Sequence, residues 1–192
     1  MRIVGGRHRG RKIEGPDETR PGAAELRPTS DRARESLFNI LEHGRFSRDG
    51  TSLVPGARVL DVFCGTGAFA LEALSRGAAS ATLIDSDPAA IALAHRNLKT
   101  LGENANARVV QGDATRPPRA TEPHDLVFLD PPYRSGLAGT ALAALDAGGW
   151  IADGALCIVE TEAREDVAAP PGFTVLDARR YGRAKLTFLR RT

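Results

Sequence analysis

The sequence predicts an α/β fold with a seven-stranded, mostly parallel, doubly wound sheet, and three observations carry the prediction. From Ala57 onward, short apolar strand patterns alternate with helical ones, an order that lays strands side by side with helices on both faces. Glycine clusters fall between these strands and helices rather than inside them. Acids close successive strands at Asp61, Asp85, Asp113 and Asp130, and in open α/β sheets ligands gather at those carboxyl ends.

The elements follow in order. Residues 2–13 alternate loosely around Gly5-Gly6 and Gly10 and read as a short basic β-hairpin. Residues 14–28, with Gly15-Pro16, Pro21-Gly22 and Pro28, read as an irregular linker. A helix starts near Thr29-Ser30-Asp31, which offer capping oxygens, and ends at Gly44. Its stripe is Ala33, Leu37, Ile40 and Leu41, with Arg32 and Arg34 off it. After a loop over 45–56, Arg58–Phe63 is a strand and Cys64-Gly65-Thr66-Gly67 a tight turn. Ala68–Arg76 is then a helix closed by Gly77, and Ser80–Asp85 the second strand. Asp87 and Pro88 supply an N-cap and a first-turn proline for a helix running to Leu101 and closed by Gly102. Arg108–Gln111 is a third strand, Asp125–Leu129 a fourth, Ser135–Ala147 a helix and Ala155–Glu160 a fifth strand. Phe173–Ala178 and Lys185–Arg190 form a C-terminal antiparallel pair around Tyr181-Gly182. The boundary expected from this pattern separates an N-terminal extension, 1–50, from an α/β domain, 51–192.

Composition narrows the function. With 42% hydrophobic and 26% charged residues the chain has the balance of a soluble globular protein. No apolar run approaches the ~18 residues needed to span a bilayer, and residues 1–7 lack a signal-peptide core. Cys64 and Cys157 lie far apart, and the histidines show no metal-ligand spacing, so the expectation is a cytoplasmic protein without disulfide or metal. The net charge of +2 hides a segregation. Residues 1–12 carry Arg2, Arg7, Arg9, Arg11 and Lys12, residues 179–192 carry six more cations, and all 24 acids fall between. An acidic body with two basic ends suits a polyanion gripped at defined places. The plainer alternative is two solvated tails.

Gly65-Thr66-Gly67-Ala68-Phe69-Ala70 matches G-x-G-x-x-A, and Asp85 closes the following strand, as in a dinucleotide fingerprint. A nicotinamide or flavin enzyme therefore has to be weighed. Asp61, four residues before the first glycine, argues against it, since a carboxylate there suits a ligand with a cationic amino-acid part better than a pyrophosphate. Asp87 precedes Pro88 and reads as a helix cap.

The run Leu126–Leu129 drives into Asp130-Pro131-Pro132-Tyr133. Neither proline can donate to a sheet ladder, and the first holds Asp130 extended. A carboxylate, a bare carbonyl and a ring are thus presented rigidly at a strand end. Such a tip suits an aromatic amine, whose lone pair is delocalised and which is a poor nucleophile. Hydrogen bonds from its two protons to Asp130 and to the Pro131 carbonyl would favour a pyramidal nitrogen and aim the lone pair at an electrophile. Tyr133 would stack on the base, an interaction worth ~1–3 kcal/mol against the few kcal/mol of unstacking.

Asp-Pro-Pro-Tyr resembles the motif of methyltransferases that modify exocyclic amino groups of nucleobases, and Asp61–Gly67 resembles the S-adenosylmethionine loop of class I methyltransferases. The likeness becomes narrower with Ile3-Val4-Gly5-Gly6, Arg9-Gly10-Arg11, Leu26–Asn39 and Leu71–Ala78, and with the Gly149-Trp150-Ile151 turn. Together these are similar to the bacterial 16S rRNA guanine-N2 methyltransferases that act on guanine 966, the RsmD family.

The resemblance implies a Rossmann-like class I methyltransferase fold, S-adenosylmethionine as cofactor, and 16S rRNA of the small subunit or its assembly intermediate as partner. It implies a catalytic set of Asp130, Pro131, Pro132 and Tyr133. The cofactor set is Asp61, Phe63, Gly65, Thr66, Gly67, Asp85, Ser86, Asp113, Ala114 and Thr29, with Asp85 on the ribose and Asp113-Ala114 on the adenine edge. The RNA contacts expected are Arg2, Arg7, Arg9, Arg11, Lys12, Arg27, Arg32, Arg180 and Arg183, and the protein is expected to be a monomer. An adenine-N6 methyltransferase on DNA or RNA is the nearest rival, because the tip alone does not choose the base. A catalytically idle RNA-binding protein would need the basic ends but not the acids and the tip.

Overall fold

Five parallel strands carry the sheet: β1 (Arg58–Val62), β2 (Ser80–Asp85), β3 (Ala107–Gln111), β4 (His124–Leu129) and β5 (Ile151–Glu162). Antiparallel β6 (Phe173–Tyr181) and β7 (Ala184–Arg191) complete it. Their order is β3-β2-β1-β4-β5-β7-β6 in the computed structural model, which describes residues 1–16, 31–47 and 49–192. The helices are α1 (Asp31–Glu42), α2 (Ala68–Ser75), α3 (Pro88–Leu101) and α4 (Leu137–Ala147). The chain winds outward from β1 to β3 and then returns to place β4 on the other side of β1. That reversal opens a crevice between the ends of β1 and β4.

Strands covered on both faces need apolar residues at nearly every position, and these have them. Val59, Leu83, Phe128 and Ile158 pack on one face with residues of α1, α2 and α3, while Leu60, Ile84, Val127 and Val159 pack on the other with α4. The Asp87 side chain accepts from the Ala89 amide at 2.9 Å, and Pro88 opens α3, as the sequence predicts. β5 begins four residues before the predicted Ala155. Ile151 pairs with His124, and the register then shifts so that Leu126 faces Leu156, leaving a polar segment that the apolar pattern did not reveal.

Two expectations about the N-terminal third are revised. Arg34, expected off the apolar stripe of α1, lies on it: it is 1% exposed beside Leu37, Phe38 and Leu41, while Ala33 and Ile40 are only half-buried. The residues Thr29 and Ser30, expected to cap this helix, and the linker beyond Pro16 lie outside the described residues. The hairpin is present, with Ile3 donating to the Arg11 carbonyl at 3.0 Å and Ile13 to the Met1 carbonyl at 3.2 Å, but a 3-10 turn at Gly6–His8 interrupts it. Ile3 and Ile13 enter the same core as Leu37, Phe38 and Leu74, so residues 1–16 pack against the α/β body.

The joint is ionic as well as apolar. Glu72 of α2 is fully buried and accepts from the Val4 amide at 2.9 Å, from Arg34 at 3.4 Å and from Arg76 at 2.8 Å. Arg76 continues to Glu42 at 2.7 Å, and Arg34 to Asp31 at 2.9 Å and to the Arg2 carbonyl. One carboxylate therefore ties the hairpin and α1 to α2. Removing one partner of such a group leaves buried charge uncompensated. Glu72→Ala is expected to lose ~3–5 kcal/mol in urea unfolding; a loss under about 1 kcal/mol would mean that the network contributes no more than a surface pair.

Candidate active site

The glycine loop leaves β1 through Phe63, whose φ of +59° is rarely adopted by a non-glycine residue and stores strain beside the site. The Gly67 amide donates to the Cys64 carbonyl at 2.7 Å and closes the turn. The two glycines have different jobs. At Gly65, with φ +51°, a Cβ would meet nothing within 4 Å, so backbone there is open to a ligand. At Gly67, with φ +74°, a Cβ would stand 2.7 Å from Leu83 Cδ2, so this glycine lets α2 approach β2. Gly67 accordingly does not line the cavity beside the loop, although the sequence placed it in the cofactor set.

That cavity, of about 780 Å³, brings together most of what the sequence singled out. Asp61, Phe63, Gly65, Thr66, Asp85, Ser86, Asp113, Ala114, Asp130, Pro131, Pro132 and Tyr133 all line it, whereas Thr29 lies outside the described residues. Asp61 is buried and accepts from the Ala70 amide at 3.0 Å, capping α2 from a neighbouring strand where Gly67 offers no side chain. Burial and the nearby Asp85 charge push its carboxyl up to about 8. Asp85 accepts from the Gly65 and Asp87 amides, each at 2.9 Å, so one carboxylate spans the loop after β1 and the turn after β2. Burial raises this carboxyl too. Asp113 is different: Thr115 and Arg116 hold its carboxylate in a turn, chiefly through Thr115, and keep it below its usual range. Its side chain is committed locally, leaving the neighbouring backbone and Ala114 as the surface it presents.

The tip sits directly against this loop. The Asp130 amide donates to the Val62 carbonyl at 3.2 Å, extending the β1–β4 pairing by one residue before the prolines end it. Burial lifts the Asp130 carboxyl well above the ordinary range, and the charges of Glu160 and Asp61 lift it further. Pro131 is buried, while Pro132 and Tyr133 are exposed, Tyr133 by 39%. Beneath the tip, Phe128 stacks on Phe69 with centroids 4.3 Å apart, giving the cavity an apolar floor. A planar base entering above Asp130 meets a ring on its rim, acceptors at its edge and an apolar surface beneath.

Several site residues escaped the sequence reading. Glu160, at the end of β5, accepts from the Tyr133 hydroxyl at 3.3 Å. The rule that exposes Asp61 and Asp85, an acid closing a parallel strand, applies to it as well. Arg34 lines the cavity from α1, and Glu14 and Arg96, paired at 2.8 Å, line its rim. No local pattern marks these, because α1, α3 and the hairpin meet only in three dimensions. Asn97, fully buried, joins them by bonding the Glu14 backbone on one side and the Thr66 carbonyl on the other.

The cations expected to contact RNA divide. Arg7 forks onto Glu103, at 2.6 Å at its shortest, and Arg11 donates to the Leu101 and Thr100 carbonyls that end α3; both anchor the hairpin to the body. Arg2 is exposed and only 3.9 Å from Asp31, and Arg9, Lys12 and Arg32 are exposed. Arg180 and Arg183 are exposed at the β6–β7 turn, on the same end of the sheet as Asp130. The Arg183 charge reaches Tyr133. Arg27 lies outside the described residues. Among the described residues no helix is long and apolar enough to cross a membrane.

The raised Asp61 carboxyl has a measurable sign. The folded protein keeps a proton that the unfolded chain releases above 3.8, so this stabilisation is complete below 3.8 and is lost as pH rises through about 8. Urea unfolding of ligand-free protein should therefore show wild type losing stability relative to Asp61→Asn between about pH 5 and about pH 9, the asparagine still accepting from Ala70. Parallel curves across that range would mean that Asp61 titrates as an ordinary carboxylate.

Comparison with known proteins agrees with this architecture. The model of a family described as conserved hypothetical protein 95 matches residues 1–190. Ribosomal RNA small subunit methyltransferase D of Escherichia coli is 44% identical over 172 residues, 89% of this chain and 79% of that protein. The Haemophilus influenzae protein of the same name is 35% identical over 187 residues, 95% of this chain and 89% of its own. Among solved structures, the yhhF protein of Escherichia coli aligns with a TM-score of 0.80 at 39% identity, over 100% of this chain and 97% of that one. The HI0767 protein of Haemophilus influenzae aligns with a TM-score of 0.75 at 30% identity, over 99% and 97%. Likeness of this extent, running through hairpin, glycine loop and tip alike, makes the chain a member of the RsmD-type family of class I methyltransferases.

Proposed function

We propose that this protein transfers a methyl group from S-adenosylmethionine to the exocyclic N2 of a guanine in 16S rRNA, the base equivalent to guanine 966. The observation that carries the reading is that Asp130-Pro131-Pro132-Tyr133 and the glycine loop open into one cavity. The choice of rRNA is supported by the small subunit methyltransferase D relatives, and the choice of guanine rests on the resemblance that the N-terminal segments carry. We infer further that it acts in the cytoplasm, as a monomer, on the small subunit or its assembly intermediate.

The residues present fit the cofactor. A cavity of about 780 Å³ is of ligand size. Gly65 leaves backbone open to approach, and Asp85, with two oxygens and lone pairs beyond its two amide bonds, suits a ribose diol. Asp61, buried behind the loop, is a carboxyl that an arriving ammonium group would drive to give up its proton and then pair with. When bound, the cofactor supplies a methyl group on a cationic sulfonium.

Everything else is positioning by the chain. Asp130 and the Pro131 carbonyl accept the two amine protons and turn the nitrogen lone pair toward the cavity. Tyr133 stacks on the extruded base and Phe128 and Phe69 keep its far side dry. The amine becomes acidic once alkylated, and Asp130, whose carboxyl is already raised, lies in place to take the released proton. Arg2, Arg9, Lys12, Arg180 and Arg183 would hold the flanking phosphates.

Asp130→Ala should abolish methyl transfer to 16S rRNA while calorimetric binding of S-adenosylmethionine survives; loss of both would assign Asp130 to the cofactor instead. Mass mapping of nucleosides after incubation with labelled cofactor tests the base, and label on adenine would replace guanine by the rival reading. For the grip, alanine at Arg2, Arg9 and Lys12 should reduce the log–log salt slope of RNA binding by about 0.7–0.9 for every phosphate that a removed cation had neutralised. An unchanged slope would return those side chains to solvent. Deleting the whole hairpin is the poorer test, because Ile3, Ile13, Arg7 and Arg11 hold the fold.

A further inference from the structure

Three carboxylates share one face near the carboxyl ends of three adjacent strands. Asp61 shares its face of β1 with Val59, and Asp130 and Glu160 continue the same alternation from Phe128 and Ile158, all of them core residues of the face that holds the cavity. Leu129 pairs with Val159, so Asp130 and Glu160 are the next neighbours across β4 and β5. Glu160 is 3% exposed. Burying a carboxylate beside another carboxylate costs stability, and an apolar residue would end the run Leu156–Val159 at lower cost. Glu160 does make one telling hydrogen bond, accepting from the Tyr133 hydroxyl at 3.3 Å. Tyr133 gains from such a tether, since it follows two prolines on an exposed turn and is itself 39% exposed.

We propose that Glu160 is a positioning residue for the target base. It holds the Tyr133 ring at the edge of the tip, so the stacking surface is set before the base arrives. This rests on the reading of Tyr133 as the stacking ring and Asp130 as the amine acceptor. The groups that face Asp130 are Asp61 from β1, Glu160 from β5 and Tyr133 on its own loop, with Arg183 from the β6–β7 turn acting on Tyr133. Glu160 therefore has a second effect: its charge holds the Asp130 carboxyl up, so the tip loses its proton at a higher pH than it would alone.

The test compares Glu160→Gln, Glu160→Ala, Tyr133→Phe and the Glu160→Ala/Tyr133→Phe pair in methyl transfer, across pH and at varied RNA. Glu160→Ala and Tyr133→Phe should each raise the RNA KM roughly tenfold with cofactor binding unchanged, and the pair should be no worse than either alone. Glu160→Gln keeps an acceptor for the hydroxyl and should rescue the KM while moving the acid limb of the pH profile to lower pH. Multiplying single effects, or a glutamine variant as impaired as the alanine one with an unmoved pH limb, would overturn the proposal and leave Glu160 as packing. A readout independent of activity separates this from failure of the wider reading. In a Tyr181→Phe background Tyr133 is the remaining tyrosine, and its tyrosinate absorbance should emerge at lower pH in Glu160→Ala than with Glu160 present, while burial and the Asp130 charge still hold it above the ordinary range. Wild-type protein inert toward every RNA would sink the proposed reaction, and an unshifted tyrosine titration would sink the Glu160–Tyr133 bond.

Discussion

The hydrogen bond from the Asp130 amide to the Val62 carbonyl is the constraint on which the site depends. It is the last rung of the β1–β4 ladder, and it brings the tip of one strand against the start of the glycine loop on the other. Neither half has a purpose without this pairing. The loop alone is a place for backbone to approach a ligand, and the tip alone is a strand end with an acid. Because β4 returns beside β1 rather than beside β3, the two lie at neighbouring strand ends and open into one cavity. The prolines then prevent the ladder from continuing, so Asp130 is held at the edge of the crevice rather than drawn into the sheet.

A second constraint orders the N-terminal third. Glu72 collects the Val4 amide, Arg34 and Arg76 in the interior, and Arg7, His8 and Arg11 dock the hairpin on Glu103 and the end of α3. The hairpin's cations therefore do two kinds of work. Those that face α3 are consumed in holding the hairpin in place, while Arg2, Arg9 and Lys12 project outward. A charge count cannot separate the two kinds. Asn97 links this docked segment to the Thr66 carbonyl, so the surface proposed to meet RNA and the loop proposed to meet the cofactor share a buried polar link.

The acids of the site share one electrostatic logic. Asp61, Asp85 and Asp130 are all raised by burial, and each adds repulsion to a neighbour. Such a cluster is poorly stable when nothing occupies it and is relieved by positive charge. A sulfonium carrying an ammonium group is a ligand of that kind, whereas a pyrophosphate would add to the repulsion. The same argument separates Asp113, whose carboxylate is satisfied by Thr115 and Arg116 and kept low.

Local chemistry determined much of this protein from sequence alone. The alternation of strands and helices set the α/β class, and the acid closing each strand, the glycine turn and the proline-stopped tip marked the cavity wall, because each depends on backbone conformation and periods of two or 3.6 residues. What the tertiary structure decided is everything that depends on which elements meet. It put Arg34 in the core rather than on a solvated face, and it made Gly67 a packing glycine against Leu83. It turned Arg7 and Arg11 into anchors and set Glu160 beside Asp130 and beneath Tyr133. The reason is physical: a side chain's charge and period say that it must be paired or buried, and only the packing of distant segments says against what.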